Sequence, residues 1–403
     1  MDIDIRPIAP HEYEALLYLD GRTFGITYEN DYVEAARGLL DLDRQIVAVD
    51  GPELVGAAGA WTFDITVPGG TSLPTAGVTW VSVSGTHRRR GILRRMMAHQ
   101  LDDLAERGDP LAILTASESV IYGRFGYGLA TFRTKLVVEG RRVQLRAGLG
   151  ADGLVRFADP STARKVEPVL YDRLRAMQPG TVTRSDAWWD FIFVDPPSIR
   201  DGATALFHAV HPDGFVSYRV RDTLVGGSFT NGVQVRELVS LTPEAHASLW
   251  RFLLGLDLVH EVEWYRAPRH ETLRWLVDDP RRVRTEAVDD DMWLRLIDVE
   301  RAFAGRRYPV PDRLVIEVVD AFRPATSGRY EIDGSPDGAE CRRTTSEPDL
   351  ALDIADLGSL YLGGVDASTL ARAGRIEERT VGAIQRADRF FASDPPPHNQ
   401  TAF

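Results

Sequence analysis

The sequence predicts a mixed α/β protein built from three consecutive domains. Its 403 residues exceed what one hydrophobic core usually accommodates, so two or three domains are expected. Short alternating or fully apolar runs, typical of strands, recur between longer segments whose apolar residues repeat at the three- and four-residue spacing of helices. Hydrophobic residues make up 44% of the chain and charged residues 26%, which excludes disordered, collagen-like and disulfide-stapled chains.

The N-terminal segment alternates strand and helix signals most clearly. Apolar side chains at helical spacing after the strand 78–83 predict a helix packed on a sheet, and Gly126 is expected to end a short helix further on. The predicted elements are a strand at 3–7, a helix at 10–19, a hairpin at 45–67 turning at Asp50-Gly51, strands at 78–83 and 111–115, a helix at 92–107 and the short helix after Ser117-Glu118.

The middle of the chain repeats this order with different residues, and a third segment follows. The predicted domains are 1–138, 139–285 and 286–403. Predicted elements of the last two are helices at 161–177, 243–254, 366–373 and 381–392, hairpins at 205–218 and within the loop-rich tract 324–345, and strands at 233–241, 259–265, 292–296, 314–319 and 329–332.

Charge and cysteine content limit the partners and the compartment. The formal net charge is −12, from 59 acidic and 47 basic residues, which argues against nucleic acid and anionic membrane as partners and favours cationic ones. The sequence contains no apolar run of about 18–20 residues, and acids near its start are unlike a signal peptide. The lone Cys341 forms no internal disulfide and is expected as a small buried hydrophobe. A cytoplasmic location is expected.

The strongest chemical signal is the loop Arg88-Arg89-Arg90-Gly91-Ile92-Leu93 between a strand and an amphipathic helix. Backbone N–H groups at a helix N-terminus, with glycine allowing close approach, suit a pyrophosphate, and guanidinium groups add charge-assisted contacts. The loop lacks the Gly-Lys-Ser/Thr ending of a P-loop and the three glycines of a dinucleotide site. It predicts a phosphate-bearing ligand, the alternative being a solvated basic run.

Three further clusters carry weaker signals. His208 and His211 flank a strand and would point to opposite faces, so no metal site is expected. The run Asp289-Asp290-Asp291 is typical of a solvated turn. The residues proposed to line a pocket for cationic amines, the alternative being surface, are Asp20, Phe24, Tyr28, Glu29 and Asp31.

Two segments carry a family resemblance. The strand 81–83 followed by Arg88 to Leu93 resembles the acetyl-CoA signature of the GNAT N-acetyltransferases, Arg/Gln-x-x-Gly-x-Gly/Ala, with Leu93 at its last position. The segment 117–127 resembles the tyrosine and Gly-Phe segment of that superfamily. The stretches 86–91 and 121–128 and the chain length are similar to the Eis (enhanced intracellular survival) family. That resemblance implies tandem GNAT-like domains followed by a sterol-carrier-protein-like domain, assembled as a homohexamer.

The resemblance also implies the roles of individual residues. Acetyl-CoA, with no metal, would be the co-substrate, and a strand splaying beside residues 81–83 would offer N–H groups to the thioester oxygen. Tyr122 would be the general acid, and the α-carboxylate of Phe403, after the stiff Pro395-Pro396-Pro397, the general base. Tyr127 is interpreted as a packing residue. The implied acetyl-CoA contacts are Val81, Ser82, Val83, Arg89, Arg90, Gly91, Ile92, Leu93, Arg94, Ser117 and Glu118.

The function implied by this resemblance is acetylation of amines on aminoglycosides or other polyamines by direct transfer. The second domain has Ser240-Leu241-Thr242-Pro243 where an Arg-x-x-Gly loop would stand, so it is not expected to bind coenzyme A. One alternative is acetylation of protein lysines or of one small metabolite. A second alternative, of another class, is a non-catalytic protein that binds an apolar ligand in its sterol-carrier-like module.

Overall fold

The computed structural model describes residues 3–140, 143–150, 153–222, 224–225 and 228–403. The chain forms two compact units. The first contains Met1–Thr131, Gln178–Thr183 and Asp290–Phe403, and the second contains Phe132–Met177 and Arg184–Asp289. No helix in the described ranges is both long enough and apolar enough to cross a membrane.

The strands, in chain order, are β1 Asp4–Pro7, β2 Gln45–Asp50, β3 Glu53–Thr66, β4 Ser72–Val83, β5 Leu111–Thr115, β6 Gly128–Leu129, β7 Phe132–Val138, β8 Arg156–Ala158, β9 Phe207–His211, β10 Gly214–Arg221, β11 Leu224–Val225, β12 Ser228–Phe229, β13 Asn231–Ser240, β14 Val259–Pro268, β15 Val283–Asp290, β16 Met292–Leu296, β17 Asp312–Val319, β18 Gly328–Ser335, β19 Gly338–Arg343, β20 Leu350–Asp353 and β21 Ile376–Glu378.

The α-helices are α1 Tyr13–Phe24, α2 Asn30–Arg37, α3 Ile92–Arg107, α4 Ser119–Tyr122, α5 Pro160–Arg175, α6 Asp186–Val194, α7 Pro243–Leu254, α8 Leu273–Leu276, α9 Val299–Ala304, α10 Ile354–Tyr361, α11 Ala367–Arg372 and α12 Ala383–Phe391. Most agree with the sequence predictions within a few residues. The tract 324–345, predicted to be loop-rich, contains the hairpin β18–β19 after a 3-10 turn.

The first sheet has the strand order β1-β2-β3-β4-β5-β16-β6. Successive side chains of β3 point to opposite faces of this sheet, and a helix packs on each face. Ala58 packs with Met96 of α3 on one face, and Ala57 packs with Leu16 of α1 on the other. The apolar stripe predicted for α3 therefore does face a sheet, with Met96, Met97, Leu101 and Leu104 buried.

The strands β4 and β5 part within this sheet. They pair in parallel only from Thr75 to Gly77. Further along β4, the register with β3 shifts between Ala57 and Gly59, and Trp80 takes the left-handed φ of 52°. A bulge of this kind bends a strand away from its partner. The 78–83 end of β4 is thus splayed from β5 and contains residues 81–83, beside which the family resemblance implies a splayed strand.

Strand β16 pairs antiparallel with both β5 and β6 and so lies between them. Helix α10 packs against β6 and β16 with almost no side chain between the backbones. A Cβ on Gly128 would lie 1.7 Å from Ala355 O, and one on Gly358 would lie 2.4 Å from Leu294 O. The buried Arg295 of β16 forms an ion pair with Asp320. Helix and strand therefore meet at backbone contact distance.

The rest of the first unit is a sheet of order β19-β18-β17-β20-β21 with aromatic packing beside it. The rings of Tyr308 and Phe390 stack with centroids 4.0 Å apart. The buried guanidinium of Arg306 donates hydrogen bonds to Tyr361 O and Phe391 O, and burial lowers its pKa. Helix-end carbonyls thus serve the role of a counter-ion for this arginine.

The second unit contains the sheet β15-β7-β14-β13-β10-β9-β8. Strands β13 and β14 run parallel, and α7 follows β13 directly. Thr242 caps α7 by accepting the N–H of Ala245 (3.1 Å), where a coenzyme A loop would need an arginine and a glycine. His208 contacts the buried Glu167 through Nδ1 (2.8 Å).

Three details differ from the sequence predictions. Asp291, predicted in a solvated turn, is 1% exposed, and its N–H donates to Thr131 O (3.0 Å) at the start of β16. Cys341, expected to be buried, is half-buried on β19. The boundaries at 138 and 285 separate strands from their sheets, because β7 pairs in the second unit and β16 pairs in the first sheet.

The contact between α10 and β6 predicts the effect of one added methyl group. The Gly128→Ala change would place a Cβ against Ala355 O, and we expect it to lower the free energy of unfolding by about 1–3 kcal/mol, as overpacking usually does. The matched control is Gly38→Ala, which has an ordinary φ of −71° and open space around it, and it should change stability by less than about 0.5 kcal/mol. Chemical denaturation measures both, and equal stability of the two variants would contradict the packing.

Candidate active site

A cavity of about 770 Å³ opens where β4 and β5 part. Its walls are the splayed end of β4, the loop before α3 with the first turn of that helix, and the segment 117–125 that contains α4. Ten of the eleven predicted acetyl-CoA contacts line it: Val81, Ser82, Val83, Arg89, Gly91, Ile92, Leu93, Arg94, Ser117 and Glu118. Tyr122, the predicted acid, lines it too.

The first turn of α3 presents backbone donors at this cavity. Gly91 adopts a φ of 77°, and a Cβ there would meet nothing within 4 Å. The first intrahelical bond runs from the Arg95 N–H to Gly91 O (3.1 Å), so the N–H groups of residues 92–94 precede it. With the positive end of the helix dipole, these groups favour an anion.

The loop before α3 is tied to the turn between β2 and β3. His87 Nε2 lies 3.2 Å from an Asp50 carboxylate oxygen, and His87 Nδ1 lies 2.7 Å from Thr86 Oγ1. Arg90 Nη1 also lies within 3.9 Å of Asp50. Arg90, predicted as a cofactor contact, is not among the described residues that line the cavity, whereas Arg88 is.

Ser82 adds a polar atom to the cavity wall. Its side chain is 2% exposed, and within the described ranges its hydroxyl has no hydrogen-bond partner. A buried hydroxyl without a partner is costly unless a ligand or water satisfies it. Together with the open N–H groups of α3 and the guanidinium groups of Arg88, Arg89 and Arg94, it fits an elongated ligand with an anionic end, such as a coenzyme A thioester.

Tyr122 is a buried titratable group in the cavity wall. Its side chain is 6% exposed, and burial, assisted by the charge of Glu118, raises its pKa to about 12. The phenol therefore carries its proton at neutral pH. Tyr127 packs edge-to-face against it with ring centroids 6.0 Å apart, fully buried in the core.

The tail after α12 is held against residues 178–183. His398 N–H donates to Pro179 O (2.8 Å), and Thr181 Oγ donates to His398 O (3.0 Å). The segment 180–183 in turn bonds the end of β3, where the Thr66 N–H donates to Thr181 O (2.9 Å). The tail is thus attached to the first sheet through an intermediate segment.

Phe403 ends this tail beside β3. Its ring packs edge-to-face on Phe63 with centroids 5.2 Å apart. The Phe63 ring in turn covers Gly77, on which a Cβ would come within 2.5 Å of it. Gly77 is the last residue of β4 that pairs with β5. The tail therefore reaches the position along β4 at which the two strands separate.

Sequence reasoning missed part of the cavity wall. Arg88 lines the cavity and is the first residue of the acetyl-CoA signature, so it could have been predicted as a contact. Three further lining residues have no sequence signal other than their proximity to Tyr122: Val120, Ile121 and Phe125. Of the proposed amine pocket, Phe24 lines the cavity, but Asp20 is buried and accepts a hydrogen bond from Tyr28 (2.6 Å). The other lining residues not predicted as cofactor contacts are Thr23, His87 and Arg124. No group of three or more potential metal ligands occurs among the residues that the structure describes.

Comparison with known proteins identifies the class. The acetyltransferase (GNAT) domain families match residues 4–130 and 180–296, and the sterol carrier protein domain family matches residues 299–400. The fold and the site therefore define a GNAT-type N-acetyltransferase with a sterol-carrier-like C-terminal domain, which confirms the predicted fold class.

Individual relatives narrow the assignment. An uncharacterized N-acetyltransferase of Streptomyces avermitilis is 40% identical over 403 residues, 98% of each chain. N-acetyltransferase Eis of Mycobacterium tuberculosis is 37% identical over 377 residues, covering 92% of this chain and 91% of that protein. The crystal structure of Eis1 from Mycobacterium abscessus superposes with a TM-score of 0.89 at 36% identity over the whole of both chains. This chain belongs to the Eis family of GNAT N-acetyltransferases.

The environment of Tyr122 predicts its titration. Because burial raises its pKa to about 12, the phenol should stay protonated at pH 10.5, where an ordinary tyrosine of pKa about 10 is mostly ionised. NMR of ¹³Cζ-tyrosine-labelled protein measures this, with the resonance assigned by its loss in Tyr122→Phe. A ¹³Cζ-labelled tyrosine model compound, with the ordinary pKa of about 10, provides the comparison. A Tyr122 resonance that shifts over the same pH range as the model compound would contradict the buried placement.

Proposed function

We propose that this protein transfers the acetyl group of acetyl-CoA directly to an amine of an aminoglycoside or another polyamine. The observation that carries the proposal is the joining, in one cavity, of an anion-binding helix start with a buried, protonated tyrosine. The net charge of −12 favours a cationic acceptor. Protein lysines and single small amines are the alternative acceptors.

The cofactor contacts in this proposal follow the cavity wall. Residues 81–83 of β4 hold the pantetheine arm, and the start of α3 with Arg89 and Arg94 holds the pyrophosphate. Ser117 and Glu118 lie near the reactive end. We assign to Arg88 the cavity position predicted for Arg90, since Arg90 lies beside Asp50.

The chain must supply three groups for this reaction: hydrogen-bond donors for the carbonyl oxygen, an acid for the sulfur and a base for the amine. Acetyl-CoA supplies an activated acetyl thioester, whose C–S bond breaks as the C–N bond to the amine forms. Backbone N–H groups on the end of β4 that does not pair with β5 would stabilise the negative charge that develops on the carbonyl oxygen. Tyr122 donates its proton to the departing sulfur, since its phenol is protonated at neutral pH and lines the cavity.

The acceptor amine must lose a proton, and the base in this proposal is the α-carboxylate of Phe403. The support is the attachment of the tail to residues 178–183 and the contact of Phe403 with Phe63. That contact lies beside Gly77, where β4 and β5 part. The homohexameric assembly implied by the family resemblance and the cytoplasmic location expected from the sequence stay predictions.

The proposed function and the terminal base are tested by one experiment. Acetyl-CoA consumption is measured with a panel of aminoglycosides, linear polyamines, lysine peptides and small monoamines, for the native chain and for a chain extended by a few residues beyond Phe403. We expect turnover with the polyamines, and a loss of about 100-fold or more on extension, as for removal of a general base. Acetyl-CoA binding by the extended chain should be unchanged.

The matched control is Phe403→Tyr, which keeps both the carboxylate and an aromatic ring at the end of the tail. It should retain most of the native turnover. Equal activity of the native and extended chains would exclude the terminal carboxylate as the base. Turnover only with peptides or with monoamines would replace the proposed acceptor class with one of the alternatives.

Replacing Tyr122 with phenylalanine removes the proposed acid and keeps the ring. We expect kcat to fall by about 10²–10⁴-fold with little change in the dissociation constant of acetyl-CoA, because the proton is needed only as the sulfur departs. The matched control is Tyr127→Phe, which removes a buried hydroxyl without a hydrogen-bond partner among the described residues. Steady-state kinetics and calorimetry check both, and a similar loss in the two variants would contradict the assignment of Tyr122.

A further inference from the structure

A loop of the C-terminal sheet lies against the cofactor cavity. Residues 320–327, which join β17 to β18, are called the 320–327 loop below. Phe322 of this loop packs edge-to-face on Phe125 with centroids 5.0 Å apart. On its other side, the guanidinium carbon of Arg94 lies 5.1 Å from the Phe322 ring centroid. Both Phe125 and Arg94 line the cavity.

These two contacts involve two different elements of the cavity wall. Arg94 belongs to the first turn of α3, and Phe125 belongs to the turn that follows Tyr122. The same loop also contacts α3 two turns further along, where Arg323 Nη2 lies 3.2 Å from Asp102 Oδ1. Phe322 therefore sits between the helix that carries the anion-binding end and the segment that carries the tyrosine.

The 320–327 loop is fixed from within by Asp320. One carboxylate oxygen of Asp320 accepts the N–H groups of Phe322 (3.1 Å) and Arg323 (2.8 Å), and the other pairs with the buried Arg295. The Asp320 N–H donates to Ser327 Oγ (2.8 Å), which closes the loop. With both ends of the loop bonded, the Phe322 ring has a defined position.

We propose that Phe322 is a positioning residue for acetyl-CoA binding, which rests on the proposed function. Its ring face holds the Arg94 guanidinium at the cavity by a cation–π contact, and its edge supports Phe125. Arg94 contacts the anionic part of the co-substrate, and Phe322 acts through Arg94. The C-terminal domain thus contributes to the cofactor site.

The test is the binding of acetyl-CoA to Phe322→Leu, measured by calorimetry on the full chain. Leucine keeps an apolar contact with Phe125 but offers no π face to Arg94. We expect the dissociation constant to rise about two- to fivefold, the size of a partly exposed cation–π contact, with kcat at saturating acetyl-CoA unchanged. Phe322→Tyr, which keeps the ring, should restore native affinity.

A double-mutant cycle separates positioning from general destabilisation. If Phe322 acts through Arg94, then Phe322→Leu should weaken binding no further in an Arg94→Gln background. The matched control is Tyr265→Leu, which removes another arginine–aromatic contact, that of Arg133 in the second unit (4.8 Å). It should leave the affinity for acetyl-CoA unchanged.

A second series of variants keeps the aromatic ring at position 322 and changes its charge distribution. Successively fluorinated phenylalanines at position 322 withdraw charge from the ring face, so the dissociation constant should rise steadily with fluorination. If all the fluorinated variants bind acetyl-CoA with native affinity, or if the effects of Phe322→Leu and Arg94→Gln are additive, the inference about Phe322 is wrong. Either outcome leaves the proposed function unaffected. Failure of the wild-type chain to bind acetyl-CoA would overturn the proposed function and the inference together.

Discussion

The ion pair between Arg295 and Asp320 is the interaction on which the architecture around the site depends. Arg295 lies on β16, the strand that covers the edge of β5, and Asp320 begins the loop that reaches the cavity. Both side chains are buried, so removing either would leave an uncompensated charge in a medium of low dielectric constant, at a cost of about 3–5 kcal/mol. The pair therefore couples the pairing of the first sheet to the position of the C-terminal loop.

The charges of the cavity oppose those of the whole chain. The protein is acidic overall, yet Arg88, Arg89 and Arg94 line the cavity together with the open N–H groups at the start of α3. Tyr122, whose pKa is raised by burial, lines the same cavity. Positive charge and a protonated phenol can occur in one cavity of an acidic protein, because each property depends on its immediate surroundings. The acidic exterior remains free to attract a cation.

The sequence predicted those parts of the site that depend on neighbours along the chain. The start of α3 could be predicted from Gly91 and from the apolar stripe of the helix. The role of Tyr122 is inferred from the resemblance of the segment 117–127 to the GNAT superfamily. The position of Arg90 depends on Asp50, 40 residues earlier, and no periodicity reports that pairing. The insertion of β16 between β5 and β6 pairs residues that are far apart in the sequence, such as Arg295 and Ala112. Long-range pairings of this kind are decided by sheet edges, which local patterns do not contain.

The C-terminal domain contacts the wall of the cavity in the first unit. Arg306 and the stacked Tyr308 and Phe390 occupy its interior, so an apolar ligand there would have to displace a guanidinium bound to two helix ends. Its 320–327 loop instead places Phe322 against Phe125 and Arg94, two residues that line the cavity. Two proteins with the same fold need not bind the same ligand, because function depends on the residues that meet at a site. The likeness to sterol carrier proteins accordingly explains how this domain is built, whereas the contacts of Phe322 and of the tail show which residues of the first sheet and the cavity wall it meets.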